Sequence, residues 1–217
     1  MKLHNYFLSS ASFRVRIALN LKGLAYEYVS HHLRRAEHRT PEFLALNPQG
    51  LVPALELDDG AVLTQSMAIV EYLEEAHPEP ALLPRDLKGR ARVRALAQAI
   101  ACDIHPINNL RVLKYLEAPL GHDQETRDTW YRHWVTVGFD GLEKELAGSP
   151  STGRFCHGDA PTLADVCLLP QVFNAQRFNT DLTPYPTIRR IAAECLTLPA
   201  FADAVPERQP EAQAPQK

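Results

Sequence analysis

The sequence predicts a small α/β domain followed by an all-helical domain. Three observations carry that expectation. Upstream of Pro78, short β-prone runs alternate with helical patterns in the order β-α-β-α-β-β-α, and such alternation implies a mixed sheet covered by helices. The stretch PEPALLPRD, Pro78 to Asp86, holds three prolines in nine residues and interrupts any helix. Beyond Gly89 no strand-like run is convincing, and apolar residues recur at helical spacing.

Taken in order, Lys2 to Tyr6 reads as a short strand. Ser12 to Lys22 reads as a helix, because Phe13, Ile17 and Leu21 share one face, and Gly23 supplies the stop through its access to positive φ. Leu24 to Ser30 is β-prone, and Pro41 to Ala45 suits a short helix. Val52 to Leu57 and Ala61 to Thr64 read as strands joined by a turn at Asp59-Gly60, a strong hairpin signal. Ser66 is placed to cap a helix running to about Ala76, with Ile69, Val70 and Leu73 inward. In the second domain Arg90 to Glu117 is one long helical pattern, with Val93, Leu96, Ile100, Ile104 and Ile107 inward and a kink expected at Pro106. Thr126 to Leu146 follows, with Trp130, Trp134 and Val137 on one side. Thr162-Leu-Ala-Asp165 resembles a capping box that starts a helix through Leu168, bent at Pro170. Pro184 to Leu196 offers another helix. Residues 206–217, PERQPEAQAPQK, are polar and proline-rich and read as a mobile tail.

Composition narrows the function. Hydrophobic residues make up 45% and charged residues 23% of the 217, which suits a packed globular core. The net charge of −3 argues against general nucleic-acid binding, which needs excess Lys and Arg. The basic stretch His31 to Arg39 reads as a solvated loop face. Cys102, Cys156, Cys167 and Cys195 are scattered, with no metal-like pairing, and fit a reducing compartment. No metal motif is present, no signal peptide is expected, and no apolar run reaches membrane-span length. A cytoplasmic protein is expected.

The residues that suggest chemistry lie mostly in the first domain. Ser9, Ser10 and Ser12 crowd the mouth of a helix, whose free N–H groups and partial positive charge attract an anion. The same hydroxyls also suit simple helix capping, and the stretch alone leaves both readings open. Val52-Pro53 begins a strand at a point where proline forfeits a ladder donor; a cis bond there would turn the Val52 backbone outward. Gln65-Ser66 marks a second anion-friendly helix start. A cleft between two domains is a common place for a small-molecule site.

These segments resemble the zeta class of glutathione transferases. SSASFRVRIAL resembles that class's SSCxWRVRIAL signature, and LNPQGLVPALELDDG, QSMAIVEYLEE, GDAPTLADVCLLPQV and RFNTDLTPYPTI resemble further zeta segments, from Lys2 to about Phe201. The resemblance implies a thioredoxin-like glutathione-binding domain over residues 1–83 and an all-α substrate domain over residues 88–205. It implies glutathione as cofactor, a homodimer, and isomerisation of a small anionic maleyl substrate, maleylacetoacetate or maleylpyruvate, in aromatic or tyrosine catabolism. Conjugation or dehalogenation of small electrophiles such as α-halo acids is the alternative. Residue by residue, Ser10, with Ser9 as alternative, would hold the thiolate beside Ala11. Val52, ahead of Pro53, would pair with the cysteinyl backbone. Gln65 and Ser66 would hold the γ-glutamyl carboxylate, and His38 the glycyl end. CDIHPINNLRVLKYL resembles the pocket helix, so His105, Asn109 and Arg111 would face the substrate, and Arg177 would pair with its carboxylate. The chain departs from the class at Leu8, where many members carry Arg, at Leu110, where some maleylpyruvate-type relatives carry Arg, and at Ala11 and Phe13, where Cys and Trp are usual. A less cationic pocket is expected.

The thiolate needs no protein base. A helix end contributes about 0.3–1 kcal/mol, up to ~2 when partly buried, and a hydrogen bond to the charged sulfur about 1.5–3 kcal/mol. At ~1.36 kcal/mol per pKa unit, together they lower a thiol of pKa ~8.5 by roughly 1.5–3 units, which makes the thiolate the major form near pH 7.

Overall fold

The computed structural model describes residues 1–213. The chain divides into two compact units, Leu83–Cys195 on one side and Met1–Leu82 joined by the chain from Leu196 onward on the other. In the first unit, β1 (Lys2–Asn5), α1 (Ser10–Leu21), β2 (Glu27–Ser30), α2 (Pro41–Leu46), β3 (Ala54–Glu56), β4 (Val62–Thr64) and α3 (Ser66–Ala76) follow the expected order. The strands form a four-stranded sheet in the order β2-β1-β3-β4. β1 is central: Leu3 pairs in parallel with Tyr28 and antiparallel with Leu55. This is the thioredoxin-like arrangement that the resemblance implies. The strands are shorter than the β-prone runs, since β2 starts only at Glu27 and β3 only at Ala54, beyond Pro53.

Helix α1 starts two residues earlier than its pattern suggests. Ser9 is the N-cap, accepting from Ser12 N at 3.2 Å, and Ser10 is already helical. Gly23, at φ +66, ends it in a Schellman arrangement: Leu24 N donates to Leu19 O at 2.9 Å and Gly23 N to Asn20 O at 3.1 Å. The sequence shows one apolar face, yet every residue from Ser12 to Leu19 is buried. The reason is the chain's return. α9 (Pro199–Ala202) packs on α1, and Asn20 Nδ2 donates to Ala200 O at 3.0 Å. Arg16, fully buried, donates from Nε to Ala204 O at 3.0 Å and from its terminal nitrogens to Asn5 Oδ1 at 3.1 Å and Phe7 O at 3.1 Å. Burial pulls its pKa down to about 10, which still leaves it charged at neutral pH.

The segment expected as a mobile tail contradicts that expectation through residue 213. Pro206–Arg208 forms a single 3-10 turn and α10 spans Pro210–Gln213. Pro206 and Gln209 are buried, and Glu211 accepts from Tyr28 Oη at 2.6 Å and Ser30 Oγ at 2.7 Å. Polar composition misled here because these carboxylate and amide groups find partners on β2 and on the returning chain. Residues 214–217 of the expected tail lie outside the described residues.

On the sheet, His4 is wedged between His31 and Glu56. Its Nδ1 lies 3.0 Å from His31 Nε2 and its Nε2 3.4 Å from Glu56 Oε2. Burial first, then the nearby His4 and His38, hold the His31 pKa below its ordinary value against the pull of Glu37.

The second unit is helical: α4 (Leu87–Gln98), α5 (Leu110–Glu117), α6 (Gln124–Gly148), α7 (Leu163–Arg177) and α8 (Pro186–Leu196). The long pattern Arg90 to Glu117 is a broken helix rather than a kinked one. A π-helical turn at Ala99–Ile104 and a 3-10 turn at Pro106–Asn108 follow α4, and Asn109 then recaps α5. Pro106 removes a backbone donor, so the ladder cannot continue unaltered. The widened turn presses Ile104 on α6, where a Cβ on Gly138 would lie 2.3 Å from Ile104 Cδ1. In α6 the buried stripe is Tyr131, Val135, Phe139, Leu142 and Leu146, one position round from the Trp130, Trp134 and Val137 side read from sequence. α7 runs past the expected Leu168 and through Pro170 to Arg177, almost wholly buried. Its start is fixed by Asp165, which accepts from Thr162 N and Cys156 N, each at 2.8 Å.

Arg16→Met leaves four main-chain or amide acceptors, Ala204 O, Asn5 Oδ1, Tyr6 O and Phe7 O, without their charged donor. We expect it to lower the unfolding free energy by about 3–5 kcal/mol in urea denaturation, as for other broken buried charge networks. Because the folded His31 pKa is depressed, the unfolded chain binds more protons. Stability from this group is therefore present above pH ~6.5 and lost as pH falls through the folded value. Denaturation series between those limits should show that loss, and His31→Gln should flatten it.

Candidate active site

Two helix starts in the first unit carry the expected site. At α1, Ser9 uses a lone pair for the Ser12 N–H, so its own proton remains to be donated. Ser10 is only 4% exposed, and Ala11 is half-buried beside it. The loop before them is held by an apolar cluster of Tyr6, Phe43 and Val52, against which Phe7, Leu8 and Leu33 pack. Leu8 therefore does packing work where an arginine would bring charge. The Arg16 hydrogen bond to Phe7 O fixes the same loop from below.

The Val52-Pro53 peptide is cis. The ladder pairing of β3 begins only at Ala54, so the Val52 main chain lies outside the sheet register while its side chain is buried in the apolar cluster. At α3 the structure shifts the cap by one residue. Gln65 holds the N-cap position at φ +68 and Ser66 is the first helical residue. The exposed Gln65 side chain donates to Gln49 Oε1 at 2.8 Å. Ser66, 7% exposed, accepts from Arg14 Nη1 at 3.3 Å, which joins the two helix starts through a buried guanidinium. His38 sits half-buried in the single 3-10 turn Glu37–Arg39.

In the second unit, His105 is half-buried at the end of the π-helical turn, and Arg111 is exposed on the first turn of α5. Asn109 is partly committed: its Oδ1 accepts from Arg111 N at 3.1 Å and Val112 N at 3.4 Å, leaving its amide N–H groups for other use. Arg177 is exposed at the C-terminal end of α7, where a cation favours the helix dipole. Its Cζ lies 5.2 Å from the Phe178 ring centroid, and Phe178 stacks on Tyr131 at 3.6 Å and 6°. A groove of about 620 Å³ opens between α5 and α6, lined by Leu116, Leu120, Trp130 and Trp134 among others; none of the expected pocket residues lines it.

Sequence reasoning missed Arg14, Gln49, Phe178 and Tyr131. Arg14, Gln49 and Phe178 stood inside segments that carry the resemblance, and only side-chain geometry singles them out; Tyr131 stood outside those segments. Three of the four cysteines are buried, and burial pushes the Cys156 and Cys195 thiols up, so neither supplies a thiolate. The first unit thus offers hydroxyls and helix N–H groups suited to a thiolate and a carboxylate brought from outside.

Comparison with known proteins places the chain in a family. Residues 8–76 match the family described as glutathione S-transferase, N-terminal domain. The chain is 55% identical over 212 residues to a maleylpyruvate isomerase of Ralstonia sp., an alignment that covers 97% of this chain and 99% of that one. It is similar to the holo structure of a maleylpyruvate isomerase described as a bacterial zeta-class glutathione S-transferase, with TM-score 0.95, 54% identity, and 97% and 99% of the two chains covered. It is also similar to a maleylacetoacetate isomerase from Methylobacterium extorquens AM1 with bound malonate and glutathione, with TM-score 0.96, 46% identity, and 99% and 100% covered.

Positive φ at a non-glycine residue costs about 1–3 kcal/mol, and glycine is accepted at N-caps. Gln65→Gly should therefore raise the unfolding free energy by about 1 kcal/mol in chemical denaturation, even though the exposed bond to Gln49 is lost.

Proposed function

Because the chain belongs to the zeta-class glutathione transferase family, we propose that it is a glutathione-dependent cis–trans isomerase of maleylacetoacetate or maleylpyruvate. The observation that carries this reading is the pair of hydroxyl-bearing helix starts in a chain that aligns with named isomerases over nearly its whole length. Glutathione fits the donor set. Its thiolate matches Ser9, Ser10 and the α1 N-terminus, and its γ-glutamyl carboxylate matches Gln65, Ser66 and the α3 N-terminus. When bound, glutathione supplies the thiolate that adds reversibly to the maleyl double bond and so permits rotation about it.

The chain's own residues bind, orient and stabilise. The serine hydroxyl with a proton to give holds the sulfur in its charged form. Ser9 is the better placed, since its lone pair is engaged by Ser12 N and Ser10 is nearly closed off from solvent. The Val52 main chain offers a strand-like edge to the cysteinyl backbone, and His38 a polar contact to the glycyl end. Arg177, exposed and braced by Phe178, suits bidentate pairing with a substrate carboxylate. His105, the Asn109 amide and Arg111 are the donors for charge that develops on the substrate's ketone oxygen. The malonate in the Methylobacterium relative is a small dicarboxylate of the same general chemistry. We infer also a cytoplasmic homodimer acting in aromatic catabolism. No helix among the described residues is long and apolar enough to cross a membrane, and light scattering of the purified protein tests the dimer.

The decisive assay mixes enzyme, glutathione and either maleyl substrate and follows the fumaryl product with glutathione unconsumed. Turnover independent of glutathione, or none with either substrate, sinks the proposal; stoichiometric accumulation of a stable conjugate assigns the enzyme to conjugation instead. Ser9→Ala should lower kcat/KM by about 10²–10³-fold, the range for losing a donor to a developing or stabilised anion. Ser10→Ala should cost less, and Ala11→Cys little, since the nucleophile is borrowed.

A further inference from the structure

We infer that Arg14 is a positioning residue for the γ-glutamyl carboxylate of glutathione, acting through Ser66; the inference rests on the glutathione-binding role proposed above. Arg14 lies in the second turn of α1 and is 2% exposed. It cannot touch a ligand on the surface of the unit, yet its Nη1 donates to Ser66 Oγ at 3.3 Å. A serine hydroxyl has one proton and two lone pairs. In a helix, that proton ordinarily turns back to a main-chain carbonyl of the preceding turn. At the first residue of α3 no such turn precedes Ser66, and the guanidinium occupies the lone pair facing the interior. The proton is thereby left for an acceptor on the outer side, where the α3 N–H groups also point.

Charge reinforces the geometry. A donor that itself accepts from a cation is polarised and makes a stronger bond to an anion. Desolvating a guanidinium is costly, and Arg16 shows what a purely architectural arginine looks like here: its partners are main-chain carbonyls and a side-chain amide. Among the partners of Arg14 is a hydroxyl at the mouth of a neighbouring helix. The guanidinium fork is planar and directional, so lysine at the same place keeps the charge but loses the aim.

The test is calorimetric and independent of turnover. Two ligands are titrated: glutathione, and 4-aminobutanoyl-Cys-Gly, which differs only by lacking the γ-glutamyl carboxylate. Arg14→Met should weaken glutathione binding about 10–100-fold, the usual scale for losing an outer-shell orienting partner, while affinity for the analogue stays within about twofold. Arg14→Lys should fall between wild type and Arg14→Met, and it serves as the readable variant if Arg14→Met does not fold. In a Ser66→Ala background the Arg14 substitution should add nothing further for glutathione. Equal weakening toward both ligands, or additive losses with Ser66→Ala, overturns the inference and makes Arg14 a merely structural residue. Absence of glutathione binding by the wild-type protein overturns the functional reading itself, and this inference with it.

Discussion

A single buried guanidinium sets the geometry on which the first unit depends. Arg16 reaches three separate stretches of chain at once: Asn5 at the end of β1, Phe7 in the loop before α1, and Ala204 in the returning C-terminal segment. An ion of this kind is stable in the interior only when its donors are met, because desolvation alone costs several kcal/mol. The requirement works in both directions. The arginine stays buried because the carbonyls converge, and the carbonyls converge because an unmet donor would be expensive. The loop that delivers Ser9 and Ser10 is therefore fixed from beneath by Arg16 and from the side by the Tyr6, Phe43 and Val52 cluster.

From that constraint the chemistry of the site follows. Two helices present their N-terminal ends with small hydroxyl residues at the first positions. Such ends favour anions. Burial pushes the Cys156 and Cys195 thiols up and so favours their neutral form. A fold with this inventory suits a thiolate brought from outside, which is the logic of the borrowed nucleophile proposed above. On the function proposed above, Ala11 in place of the class's usual cysteine removes no reactive group, because the nucleophile comes with glutathione. Leu8, packed against the apolar cluster, leaves the mouth of α1 less cationic than in relatives that carry arginine there.

Where the sequence misled, the cause was long-range in each case. α1 reads as amphipathic over Phe13, Ile17 and Leu21, but the returning chain covers its other side, with Asn20 and Arg16 as hooks about 180 residues from their partners along the chain. Residues 206–213 read as a tail because proline and charge are abundant, yet Glu211 meets Tyr28 and Ser30 on β2. The helix expected from Arg90 to Glu117 breaks because Pro106 removes a donor just as a π-helical turn brings Ile104 onto Gly138. Pro170, the other interior proline, leaves α7 continuous, since packing on nearly every side outweighs one missing bond.

Local chemistry was legible in the sequence because it acts between near neighbours. The order of elements, the serine cap of α1, the glycine that ends it, the Asp59-Gly60 hairpin and the Thr162–Asp165 start of α7 all depend on residues within a few positions of one another. The signature segments likewise place Ser9, Ser10, Val52, Gln65 and Ser66 at the ends of elements. What only the tertiary structure decided are the properties that arise when distant segments share one interior: the cis state of Val52-Pro53, the positive φ of Gln65, the closure of Ser10 from solvent, and the contact of Arg14 with Ser66. Burial and hydrogen-bond satisfaction are functions of position in space, and the linear spacing of residues does not specify them.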